Sequence, residues 1–278
     1  MSLFQAVILA LVQGLTEFLP ISSTAHLYIF PWLLGWGDPG IPFTVAVHAG
    51  TLVAVLLYFF RTWLELLLCG IGFHYPAGAP VERVCTSRRL FWYIVAATIP
   101  AGLLGLIGER YISTTFRSPY LMGAMLIVVG LVMWWAEKRF FHTREMDSLS
   151  LTDAMAIGTA QAIALVPGVS RSGATIVAGL WRGLTREAAA RFTFLLSTPI
   201  IAGAAVKTIL EMRHHPPSGA QLEALLLGFL VSALSGYLVI AFFLRYLQTR
   251  TLKIFIYYRI LFGIVILLLA FFHMGHAR

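Results

Sequence analysis

The sequence predicts an all-α polytopic membrane protein built from two inverted repeats, each a re-entrant helical hairpin followed by three transmembrane helices. Two observations predict this fold. Of the 278 residues, 59% are hydrophobic and 12% are charged, and the mean hydropathy is +0.84, a composition typical of polytopic membrane proteins. The same order of short and long apolar segments also occurs twice. We therefore expect one integral-membrane domain, residues 1–278, with repeat 1 in residues 1–145 and repeat 2 in residues 150–278.

The first repeat opens with two apolar segments that are too short to cross a bilayer. Residues 3–16 fall short of the roughly 20 apolar residues that a spanning helix needs, and Pro20 breaks a helix that would continue. Residues 27–36 are also short. Half-length helices around a polar break are typical of a re-entrant hairpin, whose irregular backbone is tolerated where it is buried in protein or lines a cavity. The sequence therefore predicts such a hairpin over residues 3–36.

The rest of repeat 1 contains three apolar segments that are long enough to span. The predicted spans are residues 42–60, 90–108 and 119–136. Residues 61–89, between the first two spans, contain Pro76, Pro80 and several arginines. This stretch is interpreted as a polar loop.

Repeat 2 follows the same plan. A re-entrant hairpin is predicted over residues 151–182, followed by spans at residues 192–209, 222–244 and 254–273. The stretch from Gln13 to Thr24 is similar in residue types to the stretch from Gln161 to Ser172. A repeat with one hairpin and three spans ends on the opposite side from its start, so the second copy is inverted and the two polar breaks meet near the midplane.

The net charge of +8 is carried by basic residues at the ends of apolar segments. This is the pattern of positive-inside loops, and it argues against a nucleic-acid partner. Thirteen Lys and Arg residues fall on one predicted side, and the other side has five: Arg110, Arg117, Lys207, Arg213 and Arg278. The more basic side is expected in the cytoplasm, which places both termini on the external side.

The first polar break carries chemically active side chains inside an apolar segment. An ionisable group at bilayer depth costs about 2.5 to 3.5 kcal/mol on insertion scales, so Glu17 indicates a functional site. Gln13 and Glu17 are four residues apart and share one face of a helix. The partner of Glu17 is either a divalent cation held together with substrate phosphates or the guanidinium of Arg171.

Three hydroxyl residues, Ser22, Ser23 and Thr24, follow Pro20 at the start of the second half-helix. Free backbone N–H groups and the helix dipole favour an anion there. The break is therefore predicted to hold phosphate, and the alternative is that Ser22 or Ser23 only caps the helix. His26 is three residues after Ser23 on the same face. A serine nucleophile with a histidine base is one hypothesis for this pair, and a structural histidine is the other.

The second break contains Ser170, Arg171, Ser172, Gly173 and Thr175 at another predicted helix start. An arginine fork matches phosphate oxygens bidentately, and the glycine allows close approach of the backbone. The break is therefore predicted to clamp a phosphate or pyrophosphate. The alternative is a structural ion pair between Arg171 and Glu17.

Three polar residues inside the predicted spans are weaker signals. One interpretation of His48 and Lys207 is that they line the cavity, but His48 is more typical of a histidine satisfied between helices, and Lys207 of a lysine that snorkels to the interface. Arg259 lies one turn inside the last span, where an arginine either snorkels or reaches the anion, and we assign it to the anion site.

These motifs resemble those of undecaprenyl-pyrophosphate phosphatases of the bacitracin-resistance type, over nearly the whole chain. One is a Glu/Gln-x-x-x-Glu signature at Gln13 to Glu17 that runs on to His26, and the other is a Pro-Gly-x-Ser-Arg-Ser-Gly-Ala-Thr signature at Pro167 to Thr175. The resemblance implies a bacterial inner-membrane enzyme, and the orientation predicted from loop charge makes its active site face the periplasmic or external side. Such an enzyme hydrolyses undecaprenyl pyrophosphate to the monophosphate and so renews the lipid carrier for peptidoglycan and other wall polymers.

The resemblance also implies a divalent cation, Mg²⁺ or Ca²⁺, with Glu17 as its ligand. The catalytic residues that it implies are Glu17, Ser23, His26 and Arg171. The supporting substrate-binding residues are Gln13, Ser22, Thr24, Ser170, Ser172, Gly173 and Thr175, to which we add Arg259. A departure from the family pattern is Gln13, because many relatives have a second Glu there. This motif therefore offers the metal one carboxylate.

A rival function from another class is a polyprenyl-phosphate transporter or flippase, since inverted repeats with broken helices around a midplane anion site are also a transporter plan. Both functions need Arg171, but only hydrolysis needs an activated nucleophile, so Ser23 and His26 favour the enzyme.

Two nucleophiles fit the residues, Ser23 or a metal-activated water, and we favour Ser23. The expected partners are the lipid substrate and membrane lipid. The oligomeric state is left open, with a homo-oligomer as one alternative.

Overall fold

The computed structural model describes residues 1–114, 118–139, 142–213 and 217–276. Within these ranges the chain forms eleven α-helices and one 3₁₀ turn. The helices of the first half are α1 Leu3–Thr16, α2 Ser23–Leu33, α3 Gly40–Tyr58, α4 Phe60–Gly70, α5 Val81–Thr114 and α6 Pro119–Arg139. The helices of the second half are α7 Leu151–Ile163, α8 Arg171–Trp181, α9 Arg186–Met212, α10 Gly219–Leu247 and α11 Lys253–His276.

Six of these helices are long and apolar enough to cross a membrane, and they are α3, α5, α6, α9, α10 and α11. In the described ranges, strand-like pairing is limited to one isolated bridge between Arg144 and Leu184. The prediction of an all-α polytopic membrane protein is therefore confirmed. Two of the five basic residues counted on the less basic side, Arg117 and Arg278, lie outside the described residues.

Each predicted hairpin consists of two short helices around a turn. The first turn, residues 17–22, joins α1 to α2, and the second turn, residues 164–170, joins α7 to α8. Equivalent residues of the two pairs are 148 positions apart, as Ser2 is from Ser150, and these two serines cap α1 and α7 with the same capping box. Ser22 and Ser170 immediately precede α2 and α8, and they have φ angles of 73° and 72°. The two pairs are therefore alike in local structure as well as in residue types.

The first helix of each pair packs mainly against a spanning helix from the other half of the chain, α1 against α10 and α7 against α5. Both contacts are close because a glycine lies in each. A Cβ at Gly14 would lie 2.9 Å from the backbone nitrogen of Gly236, and a Cβ at Gly158 would lie 2.8 Å from the Cα of Ala97. This exchange brings the two turns side by side, and the Ser172 hydroxyl donates to the Leu19 carbonyl at 2.9 Å.

The interpretation of residues 61–89 as a polar loop is wrong. Most of this stretch is helical, in α4 and in the first turns of α5, and only residues 71–80 lie between the two helices. α4 buries one face through residues spaced three apart, and these are Trp63, Leu66 and Cys69. The arginines that suggested a loop stabilise the helix pair instead, because Arg83 donates to both carboxylate oxygens of Glu65 at 2.9 and 2.6 Å.

The segment that joins the two halves is tied to α7 and α8 by Asp153, which is only 1% exposed. Its carboxylate accepts hydrogen bonds from Arg144 at 2.9 Å and from Arg182 at 2.5 Å. Burial alone raises the pKa of the Asp153 carboxyl, but hydrogen bonds from Arg144, Ser150 and Arg182 outweigh burial and hold its pKa well below the usual range. This carboxylate is therefore ionised at neutral pH and stabilises the junction.

Candidate active site

Glu17 lies in the turn after α1 and is the centre of a buried polar cluster. Its Oε2 accepts a hydrogen bond from the Ser23 hydroxyl at 2.6 Å and another from the Gln13 amide at 2.9 Å. The guanidinium of Arg171, from the second half of the chain, lies 3.7 Å from Oε1 of Glu17. The structure thus brings the carboxylate, the amide, the hydroxyl and the guanidinium from both predicted signatures together.

His48 is a further member of this cluster, although the sequence interpretation favoured a histidine satisfied between helices over one that lines the cavity. Its Nε2 lies 3.5 Å from Oε2 of Glu17, and its Nδ1 lies 2.7 Å from the Thr44 carbonyl oxygen. The sequence indication for His48 was an imidazole in the middle of an apolar span. One sequence does not tell whether the partner of such an imidazole is a group on a neighbouring helix or a carboxylate of the site. The contact depends on how α3 packs beside α1.

Two atoms of the cluster are buried without a hydrogen-bond partner, Oε1 of Gln13 and Nη1 of Arg171. The contact of Arg171 with Glu17, at 3.7 Å, is an ion pair that is too long to be a hydrogen bond. A buried polar atom without a partner costs about 1 to 3 kcal/mol. An acceptor and a donor beside one carboxylate are therefore available to a ligand.

The two turns differ in how they cap the helices that follow them, α2 and α8. The hydroxyl of Ser170 accepts a hydrogen bond from the backbone N–H of Gly173 at 3.1 Å and so caps α8. The hydroxyl of Ser22 makes no such cap and lies 3.2 Å from the hydroxyl of Thr24. The start of α2 therefore keeps backbone N–H groups without a side-chain cap, and this is where a helix binds an anion.

The remaining predicted residues of the second signature hold the turns together. Ser170 and Ser172 lie 3.2 Å apart through their hydroxyls, and Ser172 also donates to the first turn. The hydroxyl of Thr175 donates to the Arg171 carbonyl at 2.7 Å and accepts from Thr193 at 2.9 Å. Thr175 is completely buried. Its contacts therefore fix the backbone that carries Arg171.

His26 is not paired with Ser23. Its Nδ1 lies 2.8 Å from the Ser22 carbonyl oxygen, and its Nε2 lies 2.7 Å from the Tyr258 hydroxyl. The ring also stacks on Phe262, with ring centroids 4.5 Å apart. The reason is local geometry: one helical turn brings the imidazole back to the carbonyl of Ser22, whereas the Ser23 hydroxyl points to Glu17.

Arg259 is completely buried, and its hydrogen bonds go to backbone carbonyls and to the sulfur of Met133. The guanidinium donates to four carbonyl oxygens, those of Leu126 at 3.0 Å, Pro20 at 2.9 Å, Gly168 at 3.2 Å and Val169 at 3.0 Å. The assignment of this arginine to direct substrate binding is therefore corrected. An anion cannot reach donors that are already taken up by the backbone of both turns.

A cavity of about 510 Å³ opens beside the first turn. Thr24 lies in its wall, and the approach to the second turn contributes Leu165 and Pro167. The rest of the lining is mostly apolar and aromatic, and includes Tyr28, Trp32 and Trp36. The polar turns and an apolar cavity therefore share a boundary, as a ligand with a charged head and a hydrocarbon tail requires.

The residues that could hold a metal ion are few. In the described ranges, no group of three or more His, Cys, Asp or Glu side chains has the geometry of a metal site. Oxygen ligands are present in the Glu17 carboxylate and in the unpartnered Oε1 of Gln13. Such a pair fits a hard cation such as Mg²⁺, which is commonly bound by one or two carboxylates together with phosphate oxygens of the substrate.

Fold and site together define a polytopic α-helical membrane protein with a buried polar site where two helix-breaking turns meet. Over residues 6–265 the chain matches the family described as "Bacitracin resistance protein BacA". The chain belongs to this family, and the resemblance seen in the motifs is confirmed.

Similar relatives named undecaprenyl-diphosphatase come from several bacteria. The protein of Moorella thermoacetica is 44% identical over 266 residues, covering 96% of this chain and 97% of the relative. The protein of Chloroherpeton thalassium is 46% identical over 286 residues, covering 99% and 98%. That of Pelotomaculum thermopropionicum is 42% identical over 271 residues, covering 97% of each chain.

Proposed function

We propose that this protein hydrolyses undecaprenyl pyrophosphate to undecaprenyl phosphate and inorganic phosphate, which renews the lipid carrier for cell-wall polymers. The family and the full-length relatives named undecaprenyl-diphosphatase support this function. The observation that carries the chemistry is the 2.6 Å hydrogen bond from the Ser23 hydroxyl to Glu17 at the uncapped start of α2. A carboxylate in that position can accept the proton of a nucleophile.

In the proposed reaction the terminal phosphate lies at the start of α2, and Arg171 binds its oxygens. The Ser23 oxygen attacks the terminal phosphorus, and its proton passes to Glu17. The bond from this phosphorus to the bridging oxygen breaks, and undecaprenyl phosphate leaves. A water molecule then attacks the phosphoserine, the proton on Glu17 passes to the departing Ser23 oxygen, and one proton of the water passes to Glu17 in its place. Hydrogen phosphate leaves, and Glu17 releases this proton to solvent. His26 has no part in these proton transfers.

We propose that the cavity beside Thr24 takes the part of the prenyl chain next to the pyrophosphate. Its aromatic and aliphatic lining suits hydrocarbon, and it borders both turns. The remainder of the prenyl chain stays among the lipid-facing helices. This arrangement lets a long lipid substrate reach a buried site without leaving the membrane.

We propose that a divalent cation, Mg²⁺ or Ca²⁺, assists the reaction and is held by Glu17 and by Oε1 of Gln13. When bound, such an ion neutralises charge on the pyrophosphate. Glu17→Gln is expected to lose metal-dependent activity, because the amide lacks the charge that binds the cation. Full activity of the wild-type protein after chelation would remove the metal from this proposal and leave Glu17 as a base and as the partner of Arg171.

We propose that α1 with α2 and α7 with α8 are re-entrant hairpins of two inverted repeats in the bacterial inner membrane. The local likeness of the two turns and the exchange of packing partners between the halves support this arrangement. The loop charges favour an orientation with both termini and the site opening on the external side.

Phosphate release by the purified protein in detergent tests the function directly. We expect release from undecaprenyl pyrophosphate by wild type and almost none by Ser23→Ala. Rapid quenching with terminally labelled substrate should leave label on the wild-type protein. Substantial turnover by Ser23→Ala would rule out the serine and leave water as the attacking group. Absence of hydrolysis, with lipid movement across vesicles, would favour a transporter, the rival function built on the same plan.

A further inference from the structure

We propose that Tyr258 and Arg259, adjacent residues of α11, are positioning residues that set the geometry of both active-site turns. In this arrangement His26 links α11 to the first turn and does not accept a proton from Ser23. The inference rests on the proposed hydrolysis for its kinetic tests, whereas the chemical shifts of His26 test it independently of activity.

Arg259 holds the two turns with one side chain. Its Nη1 donates to the carbonyl of Pro20 at 2.9 Å in the first turn, and its Nη2 donates to Gly168 and Val169 in the second turn at 3.2 and 3.0 Å. Each of these carbonyls lies one or two residues before a serine with positive φ, Ser22 or Ser170. A non-glycine residue persists in this conformation only when its surroundings fix it. Arg259 supplies that constraint for both serines.

Gly173 shows how closely Arg259 fits against the start of α8. A Cβ at this position would lie 2.7 Å from Nη1 of Arg259. The guanidinium therefore occupies the space beside the first turn of the helix that carries Arg171. Arg259 is buried between the turns, whereas Arg171 keeps a side chain that is 25% exposed and can meet a ligand. The two arginines have separate tasks.

Tyr258 holds the other end of the first turn through His26. The Ser22 carbonyl can only accept a hydrogen bond, so Nδ1 of His26, at 2.8 Å, carries the hydrogen. In the neutral ring Nε2 is then an acceptor, and it accepts a hydrogen bond from the Tyr258 hydroxyl at an N–O distance of 2.7 Å. Both nitrogens are used in a chain from Tyr258 to His26 to Ser22. A ring in this state has no nitrogen left for the Ser23 proton.

The consequence is that one helix sets both halves of the site. Through Pro20 and Ser22, α11 fixes the direction of the free N–H groups at the start of α2. Through Gly168 and Val169, it fixes the backbone that leads into Arg171. Loss of either contact is expected to misalign groups that bind the transition state, which lowers kcat more than it raises KM.

Tyr258→Phe removes the hydroxyl and keeps the ring, and its matched control is Tyr257→Phe at the neighbouring exposed tyrosine. We expect kcat of Tyr258→Phe to fall about three- to tenfold, the effect of one lost hydrogen bond, with little change in KM. Tyr257→Phe should match wild type. Equal kcat values for the two variants would overturn the role of Tyr258.

The variant His26→Gln distinguishes a structural role of His26, as the link between α11 and the first turn, from a role as a general base. A glutamine amide can still donate to the Ser22 carbonyl but cannot act as a general base. We expect this variant to keep more than about a tenth of wild-type kcat, with an unchanged pH profile. A loss of about 10² to 10⁴, together with loss of one limb of the pH profile, is the result for a base and would overturn the inference.

Arg259→Lys tests the link between the turns. A single ammonium cannot reach carbonyls on both turns, so we expect at least about a 100-fold loss of kcat even where the protein remains folded. Should this variant fail to fold, the tyrosine and histidine variants still decide the matter. If wild type itself releases no phosphate, the proposed function fails, and the chemical shifts of His26 still test the positioning role of α11.

The independent measurement is the ¹⁵N chemical shift of His26 in labelled protein. We expect the Nδ1–H tautomer in wild type and a shift of the Nε2 resonance in Tyr258→Phe, because that nitrogen loses its hydrogen bond. Tyr257→Phe should leave both resonances in place. An Nε2–H tautomer in wild type, or no response to Tyr258→Phe, would overturn the inference.

Discussion

At the scale of single residues, Arg171 and Arg259 show how one side-chain type serves two purposes in the same site. Arg259 has its donors directed to backbone carbonyls and is completely buried, whereas Nη1 of Arg171 is buried beside Glu17 without a hydrogen-bond partner. The donors of Arg259 are used within the protein, whereas Nη1 of Arg171 is available to a ligand. A lysine in place of Arg171 should therefore affect substrate binding directly, whereas a lysine in place of Arg259 should act through the positions of the two turns.

Arg171→Lys is expected to lower kcat/KM at least about tenfold although the positive charge is kept, because a point ammonium cannot make two parallel contacts with phosphate oxygens. The control is Arg191→Lys, whose partner is Glu187 on the same helix and which should retain activity. Phosphate release by the folded variants measures both. Near-normal turnover by Arg171→Lys would remove the clamp from the proposed mechanism.

The polar residues near the two turns could be assigned to a functional site from the sequence, because charged and hydroxyl groups are costly inside apolar segments and therefore stand out there. Their hydrogen-bond partners could not be predicted. Ser23 and His26 share a helical face, yet the serine hydroxyl points to Glu17 and the imidazole to Ser22. The imidazole also contacts the hydroxyl of Tyr258, which is 232 positions away in the chain, and no local sequence pattern predicts that contact.

At the scale of helices, the short pairs are positioned by close contacts with spanning helices. The sequence predicted a helix at each of the six places where the structure has one long and apolar enough to cross a membrane. It missed α4 because charged residues at the ends of amphipathic helices look like loop residues. α5 begins at Val81, before its predicted start at residue 90, for the same reason. Helices continue past the hydrocarbon region, where hydropathy no longer marks them.

Gly158→Ala is expected to destabilise the protein by about 2 kcal/mol, because the new Cβ overlaps the backbone of Ala97 and forces α7 away from α5. Gly203→Ala is the control, since a Cβ there meets nothing within 4 Å. Thermal unfolding in detergent measures both variants. A Gly158→Ala protein as stable as the control would show that this contact can relax.

Asp153→Asn is expected to destabilise the junction at neutral pH by about 2 kcal/mol, because it weakens charged hydrogen bonds to Arg144 and Arg182. The pKa of Asp153 is lower in the folded protein than in the unfolded chain. Its stabilisation is therefore present above the unfolded pKa of about 4 and is lost as the pH falls below it. The stability difference between wild type and variant should narrow below about pH 4.

The exposed Asp147→Asn variant, six residues earlier, provides the control for Asp153→Asn. It should unfold like wild type at every pH. A difference between wild type and Asp153→Asn that stays constant from neutral pH down to about pH 3 would contradict the assigned pKa direction.

For the molecule as a whole, the order of short and long apolar helices could be predicted from the sequence, except for α4, the additional short helix of the first half. The inverted repeat itself stays a proposal. The packing could not be predicted, because the exchange of α1 and α7 between halves depends on glycine contacts that have no separate sequence signal. Orientation in the membrane is predicted by the distribution of loop charge and is independent of how the helices pack against each other.

Labelling with a membrane-impermeant thiol reagent tests the proposed orientation. A cysteine placed at Ser2 in intact cells should react from outside, whereas native Cys85, which is exposed on the protein, should react only after the membrane is opened. The reason is that Cys85 lies in the stretch rich in arginine that the charge rule places in the cytoplasm. The reverse labelling pattern would show that the protein has the opposite orientation in the membrane.

The contacts of Arg259 also bear on when the protein becomes functional during its synthesis. The carbonyls at Pro20 and Gly168 are made early, but the guanidinium that they accept from belongs to α11, the last helix described. A nascent chain that has folded the two short helix pairs therefore has turns that Arg259 does not yet hold. Activity should begin only after α11 enters the membrane, so ribosome-bound intermediates would leave the lipid carrier pool untouched.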